Sequence, residues 1–268
     1  MQIHSAAIVH PKASLADDVE IGPFCVIGEH VTIGTGSRLL SHVTVDGWTE
    51  IGERNVVHPF ASIGGPPQHL GYKGEPTKVI IGHDNILREY VTINRATVEG
   101  GGVTSLGSKN ILMAYVHVAH DCRLGSHLIM ANAASLAGHI TIGDHAIIGG
   151  LTGIHQHVRV GSYSMVGGCC ALGQDLPPFM RAAGGYRARM YGLNSVGLRR
   201  QGFSTDRVSV LKRAYDMLFR SGHRTAEAAK LAKAEFGDQP DVMTVVKFLE
   251  GTKRGICRSV GKDQEDEE

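Results

Sequence analysis

Stepping along this chain by six residues from Ile3 lands on Val9, Leu15, Ile21, Ile27, Ile33, Leu39, Val45, Ile51, Val57 and Ile63, all aliphatic. The phase returns at Ile81, Leu87 and Ile93. After a shift of one residue it runs from Leu106 through Leu112, Val118, Leu124, Met130, Leu136, Ile142, Ile148, Ile154, Val160 and Val166 to Leu172. With about a third of random positions aliphatic, such a run arises by chance on the order of once in 10^12 trials. An α-helix cannot use this period, because six residues turn the chain through roughly 600° and scatter the aliphatic side chains around the axis. A sandwich of alternating strands requires period two and fails as well. A short strand followed by a sharp bend fits. Three of them close a triangular coil of about eighteen residues, with the aliphatic side chains stacked inside and neighbouring coils paired as parallel strands roughly 4.8 Å apart. Glycine follows the aliphatic residue in many hexads, as at Ile21-Gly22, Ile51-Gly52 and Ile142-Gly143, which predicts glycine at the corners of the coil. That placement uses much of the excess of 35 glycines in 268 residues, and so narrow a prism leaves little interior room for the 7 Phe, 7 Tyr and 1 Trp.

Two stretches break the pattern with Gly and Pro, residues 65–78 and 95–105, and are expected to loop out from the prism as functional segments on a rigid scaffold. The hexads end at Gln174-Asp175-Leu176-Pro177-Pro178, and the composition turns helical. Ser204 can cap a helix carrying Val208, Leu211, Tyr215 and Leu218 on one face, and Thr225 and the Gln239-Pro240 step begin two more. The expected organisation is a β-helix over 1–175, a helical domain over 176–258 and a disordered acidic tail over 259–268. A net charge of +1 gives no reason to expect nucleic acid as partner, and no apolar stretch approaches the ~20 residues of a membrane span. Five cysteines without a CxxC pair read as reduced thiols, and a cytoplasmic location is the expectation.

The chemistry-bearing residues are histidines, 15 in all, concentrated between residues 115 and 160. Asp121, His139 and His157 each stand three past an aliphatic residue of the stack and eighteen apart, so they form one outward column with His120 beside it. Imidazoles next to a carboxylate suit proton transfer near neutral pH. On the residues alone three readings stand: a solvated polar corner, a metal site between subunits as in β-helical carbonic anhydrases, and a general base for acyl transfer. The carbonic anhydrase pattern needs two histidines five apart, which this sequence lacks, so no metal is expected.

The runs Ala119-His120-Asp121-Cys122, Leu136-Ala137-Gly138-His139, His155-Gln156, Val166-Gly167-Gly168-Cys169 and Arg199-Arg200-Gln201-Gly202-Phe203-Ser204 together resemble the UDP-N-acetylglucosamine O-acyltransferases of lipid A synthesis, over residues 1 to about 258. The resemblance implies a mainly β fold, a left-handed parallel β-helix of hexapeptide repeats with a C-terminal α-helical domain, assembled as a homotrimer with active sites between subunits. It implies transfer of an (R)-3-hydroxyacyl group from acyl carrier protein to the 3-position of the UDP-sugar. No cofactor is involved beyond the carrier's own phosphopantetheine. His120 matches the catalytic base, Asp121 its orienting carboxylate, and Gly138 the backbone N–H that receives the oxyanion. Positions for sugar and nucleotide contacts fall on His117, His139, His155, Gln156, Asn194 and Arg200, and the acyl-chain ruler on Gly168, where glycine favours a chain near C14. The first loop departs from the family: Gln68-His69-Leu70-Gly71-Tyr72 stands where Gln-Asp-Leu-Lys-Tyr is usual. Gln68 and His69 thus join the acceptor site with an imidazole in place of a carboxylate, and the acceptor is UDP-N-acetylglucosamine or its 3-amino analogue. Basic residues of the cap, Arg187, Arg189, Arg199, Arg200, Lys212 and Arg213, are candidates to dock the acidic carrier.

Overall fold

The computed structural model describes residues 2–260. Short strands, most of two residues, follow one another around three flat faces and stack into sheets of eleven, nine and eight strands, parallel except for the last strand of the first. Successive coils pair in register, as Ile21 on Leu39 or Leu136 on Ile154, and the fold is the expected left-handed parallel β-helix. The hexad residues form the interior: Ile27, Ile63, Leu87, Leu112, Met130 and Leu136 are all essentially inaccessible to solvent.

The corners are built differently from the sequence expectation. The left-handed backbone falls three residues past many of the stacked aliphatic side chains, at Phe24, His42, Phe60, His127, His139, Tyr163 and others, and most of these residues are not glycine. Side chains at the same corner then stack along the axis: Phe60 on Tyr90 on Tyr115 at one corner, and His127 on His145 on Tyr163 at another. Ring stacking offsets part of the cost of the left-handed conformation. The glycine after the aliphatic residue serves close coil packing instead. A Cβ on Gly22 would stand 1.6 Å from the Leu40 carbonyl oxygen, and Gly22 itself is not left-handed.

Both interruptions leave from one corner, between the nine- and eight-stranded sheets. The first connects strand Ser62–Gly65 to strand Lys78–Ile81, and the second connects Thr92–Asn94 to Val103–Leu106. Although Ile63 and Ile81 are eighteen residues apart, they lie on adjacent faces, so the insertion replaces one bend and not a whole coil. Tyr72 of the first loop receives two hydrogen bonds from the guanidinium of Arg95, at 3.0 and 2.7 Å, tying the loops together.

Past Gln174 the chain does not turn helical at once. Met180–Ala183 adds a parallel strand to the eleven-stranded sheet, and Arg189–Leu193 returns antiparallel to it. Four helices follow: α1 (Ser195–Arg200), α2 (Thr205–Arg220), α3 (Thr225–Phe236) and α4 (Pro240–Glu250). Ser204 caps α2 through the Arg207 N–H, and Val208, Leu211, Tyr215 and Leu218 are buried, as the spacing predicts. Asp175 anchors this cap: its carboxylate accepts from the backbone and guanidinium of Arg159 and from the Thr252 hydroxyl. The acidic tail lies outside the described residues except for Ser259 and Val260, which are bridged to Met190 and not free. No helix among the described residues is long and apolar enough to cross a membrane.

Candidate active site

The column predicted from eighteen-residue spacing is present. His139 and His157 stack with ring centroids 4.5 Å apart, and Asp121 stands one coil away at the same left-handed corner position. Only its exposure differs from expectation: the Asp121 side chain is completely buried, because the second loop folds over it. Thr97 of that loop donates its N–H to Oδ1 at 2.9 Å and its hydroxyl to Oδ2 at 2.7 Å. The Asp121 backbone N–H is held by the Thr104 hydroxyl at 2.8 Å.

His120 Nδ1 lies 2.7 Å from Asp121 Oδ2. A carboxylate accepting there fixes the proton on Nδ1 and leaves Nε2 as the basic nitrogen. That nitrogen faces Gly138, whose α-carbon the ring approaches so closely that a Cβ would fall 2.6 Å from the imidazole. The Gly138 N–H sits at a bend and donates to no backbone carbonyl among the described residues. The dyad opens onto a groove of about 1020 Å³. The outward residues of the nine-stranded sheet, His117, Ser135, Gly153 and Ala171, form its floor, and Tyr186, Arg187, Arg189 and Arg258 close the end away from His120.

The predicted site residues divide into two sets. Gln68, His117, His120, Gly138, His155 and Gln156 all line the groove. His69 reaches the dyad from the first loop, its ring edge-on to His120 at 5.4 Å, and the His139 ring is also edge-on to His120, at 5.2 Å. Burial holds the His117 and His139 imidazolium forms down, the former assisted by His120, the latter opposed by the Asp121 carboxylate. Both are therefore suited to neutral hydrogen bonding. By contrast, Asn194, Arg200 and Gly168 are not in this groove. Asn194 caps α1, accepting from the Gly197 N–H and donating to the Tyr163 carbonyl at another corner, and Arg200 ends the same helix. Gly168 lies at the third corner, beside Gly150.

His120, Asp121 and His139 also present one potential ligand atom each within 4.8 Å of one another, but the short Nδ1–Oδ2 contact uses a proton where a cation would sit. Cys122 is no nucleophile: it points inward, hydrogen-bonded to the Ala137 carbonyl, and burial pushes its thiol up to about 12. Thr97, Thr104 and Arg258 were not legible as site residues, since none stands in a repeat register with the histidines. The one available signal for Thr97 was its place in a loop that breaks the hexads.

A family model for bacterial hexapeptide transferases matches residues 1–35, and one for UDP-N-acetylglucosamine O-acyltransferase, domain 2, matches residues 175–257. The acyl-(acyl-carrier-protein)–UDP-N-acetylglucosamine O-acyltransferase of Thermodesulfovibrio yellowstonii is 53% identical over 257 residues, which cover 96% of this chain and 99% of that one. Among solved structures, the UDP-N-acetylglucosamine acyltransferase of Francisella novicida superposes with a TM-score of 0.94 at 38% identity, covering 99% of this chain and 97% of that one. The Arabidopsis enzyme of that name gives 0.84 at 32% identity, over 96% of this chain and all of the other. By these full-length likenesses, on a capped prism that carries the His120–Asp121 pair, the chain belongs to the acyl-(acyl-carrier-protein)–UDP-N-acetylglucosamine O-acyltransferase family.

Proposed function

We propose that this chain transfers an (R)-3-hydroxyacyl group from acyl carrier protein to the 3-hydroxyl of UDP-N-acetylglucosamine, the first step of lipid A synthesis, by direct displacement. The carrying observation is the buried pair His120–Asp121 at 2.7 Å, with the opposite ring nitrogen facing Gly138 and the groove. His120 Nε2 takes the proton of the sugar hydroxyl as its oxygen attacks the thioester carbonyl. Asp121 stabilises the imidazolium so formed, and the Gly138 N–H receives the oxyanion. Collapse of the tetrahedral intermediate expels the carrier thiolate, which takes up the proton from His120. The thioester arrives already activated on the carrier's phosphopantetheine, so the enzyme needs no cofactor of its own. Arg187, Arg189 and Arg258 at the groove end suit an acidic carrier. Five free cysteines support a reducing, cytoplasmic setting.

The active unit in this reading is a homotrimer with sites between subunits. In the middle of the eleven-stranded sheet the outward residues form an apolar strip, Val56, Ile86, Ile111, Ile129, Ile147 and Met165, flanked by Gln2, Glu20 and Arg38 at one end and Arg181 at the other. Asn194 with Arg200 and Gly168 belong to the two corners that border this sheet. A second copy docked by that face beside the groove brings them to His120, with Arg200 on the diphosphate and Gly168 at the acyl end. Such a contact joins unlike surfaces, and it closes as a ring of three when each copy is rotated by a third of a turn from the last.

The test is conversion of 3-hydroxyacyl carrier protein and UDP-N-acetylglucosamine to ester, assayed beside the 3-amino analogue and with C10 and C14 donors. Ester with a C14 donor is expected, and His120→Ala lowers the rate ~10^2–10^4-fold with the fold intact. Preference for the amine acceptor would overturn the ester reading, and preference for C10 the ruler. No transfer to either sugar would overturn the function.

A further inference from the structure

The second loop does more than leave the prism, for it closes over the one fully buried carboxylate of the site. Thr97 is itself 3% exposed, and its hydroxyl is oriented from both sides. The Gly100 N–H donates to Thr97 Oγ1 at 3.1 Å, which occupies an oxygen lone pair and directs the hydroxyl proton at Asp121 Oδ2. Gly100 is pressed so close to Asp121 that a Cβ there would fall 2.0 Å from Oδ1, so the loop is fitted closely to the carboxylate. With Thr97 N–H on Oδ1, and Thr97 hydroxyl and His120 Nδ1 on Oδ2, the carboxylate plane has no freedom to turn. His139 Nε2, at 3.5 Å from the same Oδ2, is too distant to share this work.

We propose that Thr97 is a positioning residue for the acyl transfer, holding the Asp121 carboxylate in the plane that keeps the His120 proton on Nδ1. It acts through Asp121 and touches no substrate. The inference rests on the acyl-transfer reading. His120 is faced by Asp121, His69, His117 and His139, so among the described residues facing it Asp121 alone carries negative charge. A hydroxyl donating to Oδ2 draws off part of that charge. Removing the hydroxyl while the loop stays closed leaves more charge on Oδ2, favours the imidazolium, and moves the acid limb of the rate profile to higher pH.

The experiment compares Thr97→Val and Thr97→Ser with the wild-type chain, in kcat, KM and the pH profile of kcat/KM. Thr97→Val is expected to lower kcat by about 10–100-fold, with KM for both substrates within about twofold and the acid limb moved upward. Thr97→Ser should recover most of the rate. A Val variant with wild-type kcat overturns the proposal. So does one whose loss appears in KM with the acid limb moved downward, the signature of a loop opened to water. If the Val variant does not fold, Thr97→Ala is read against Thr97→Ser in the same way. An inactive wild-type chain would instead overturn the acyl-transfer reading itself.

Discussion

Replacing Gly138 by alanine separates the base from the oxyanion donor. The new Cβ falls 2.6, 2.9 and 3.1 Å from Cε1, Nε2 and Nδ1 of His120, so the ring must retreat by about 0.8 Å to reach ordinary contact. Asp121 occupies one side at 2.7 Å, and the rings of His69 and His139 flank the others. The remaining route is a swing that stretches the Nδ1–Oδ2 bond to about 3.5 Å, beyond useful hydrogen bonding. A charge-assisted bond of this kind contributes about 1.5–3 kcal/mol, so kcat should fall roughly 10- to 150-fold. Alanine keeps the N–H, and Gly138 is not left-handed, so neither the oxyanion donor nor the backbone is compromised. The assay is single-turnover transfer with saturating donor and acceptor, alongside a thermal melt, which should stay within about 2 °C of wild type. A variant retaining more than half the wild-type kcat would refute the argument. So would an inactive one in which a crystal structure finds the imidazole unmoved.

Two further outcomes test the scaffold. Burial, with His127 adding to it, lowers the proton affinity of His145 in the folded chain, so stability is full above about pH 6.5 and falls as the unfolded imidazole begins to bind protons below it. His145→Phe keeps the ring stack, and its Tm should drop less than that of wild type between pH 7.5 and 5.5; equal drops would exclude this origin. Gly22→Ala places a Cβ against the Leu40 carbonyl and should cost about 2 kcal/mol or more, whereas at Gly153 nothing lies within 4 Å and alanine should cost less than about 1 kcal/mol. Denaturant titrations that rank the two alike would show that glycine does not set the coil spacing.

The aliphatic stack was legible because interior packing imposes an unbroken period, and Ile21, Leu39, Val57 and their successors could be placed before any coordinate. Corner chemistry was legible only in part. Gly22 and Gly52 suggested left-handed bends, but the bends belong to Phe24 and Arg54, two residues later, where a side chain can stack on its neighbour. The same stacking divides the histidines. His139 and His157 share a corner with the dyad, while His127 and His145 form part of a ring ladder on another. Spacing by eighteen predicted the column but not what covers it, since the loop residue Thr97 has no register with the prism. Asn194 and Arg200 illustrate the converse case. Their motif was visible, yet Asn194 caps α1 and neither it nor Arg200 lines the groove beside His120.

The two loops leave the same corner, and neither disturbs the stack: Val79 and Ile81 resume pairing with Thr49 and Ile51, and Ser105 and Leu106 with Arg123 and Leu124. Hydrogen bonding between coils is thus indifferent to how many residues the corner carries. Stiffness and variation are assigned to different parts of the chain. The loops can lengthen, shorten or exchange residues, as at His69 and Gly71, without any interior side chain changing its neighbours. Variation in recognition can therefore accumulate at this edge as interchangeable cassettes, on a support whose own folding places almost no demand on their sequence.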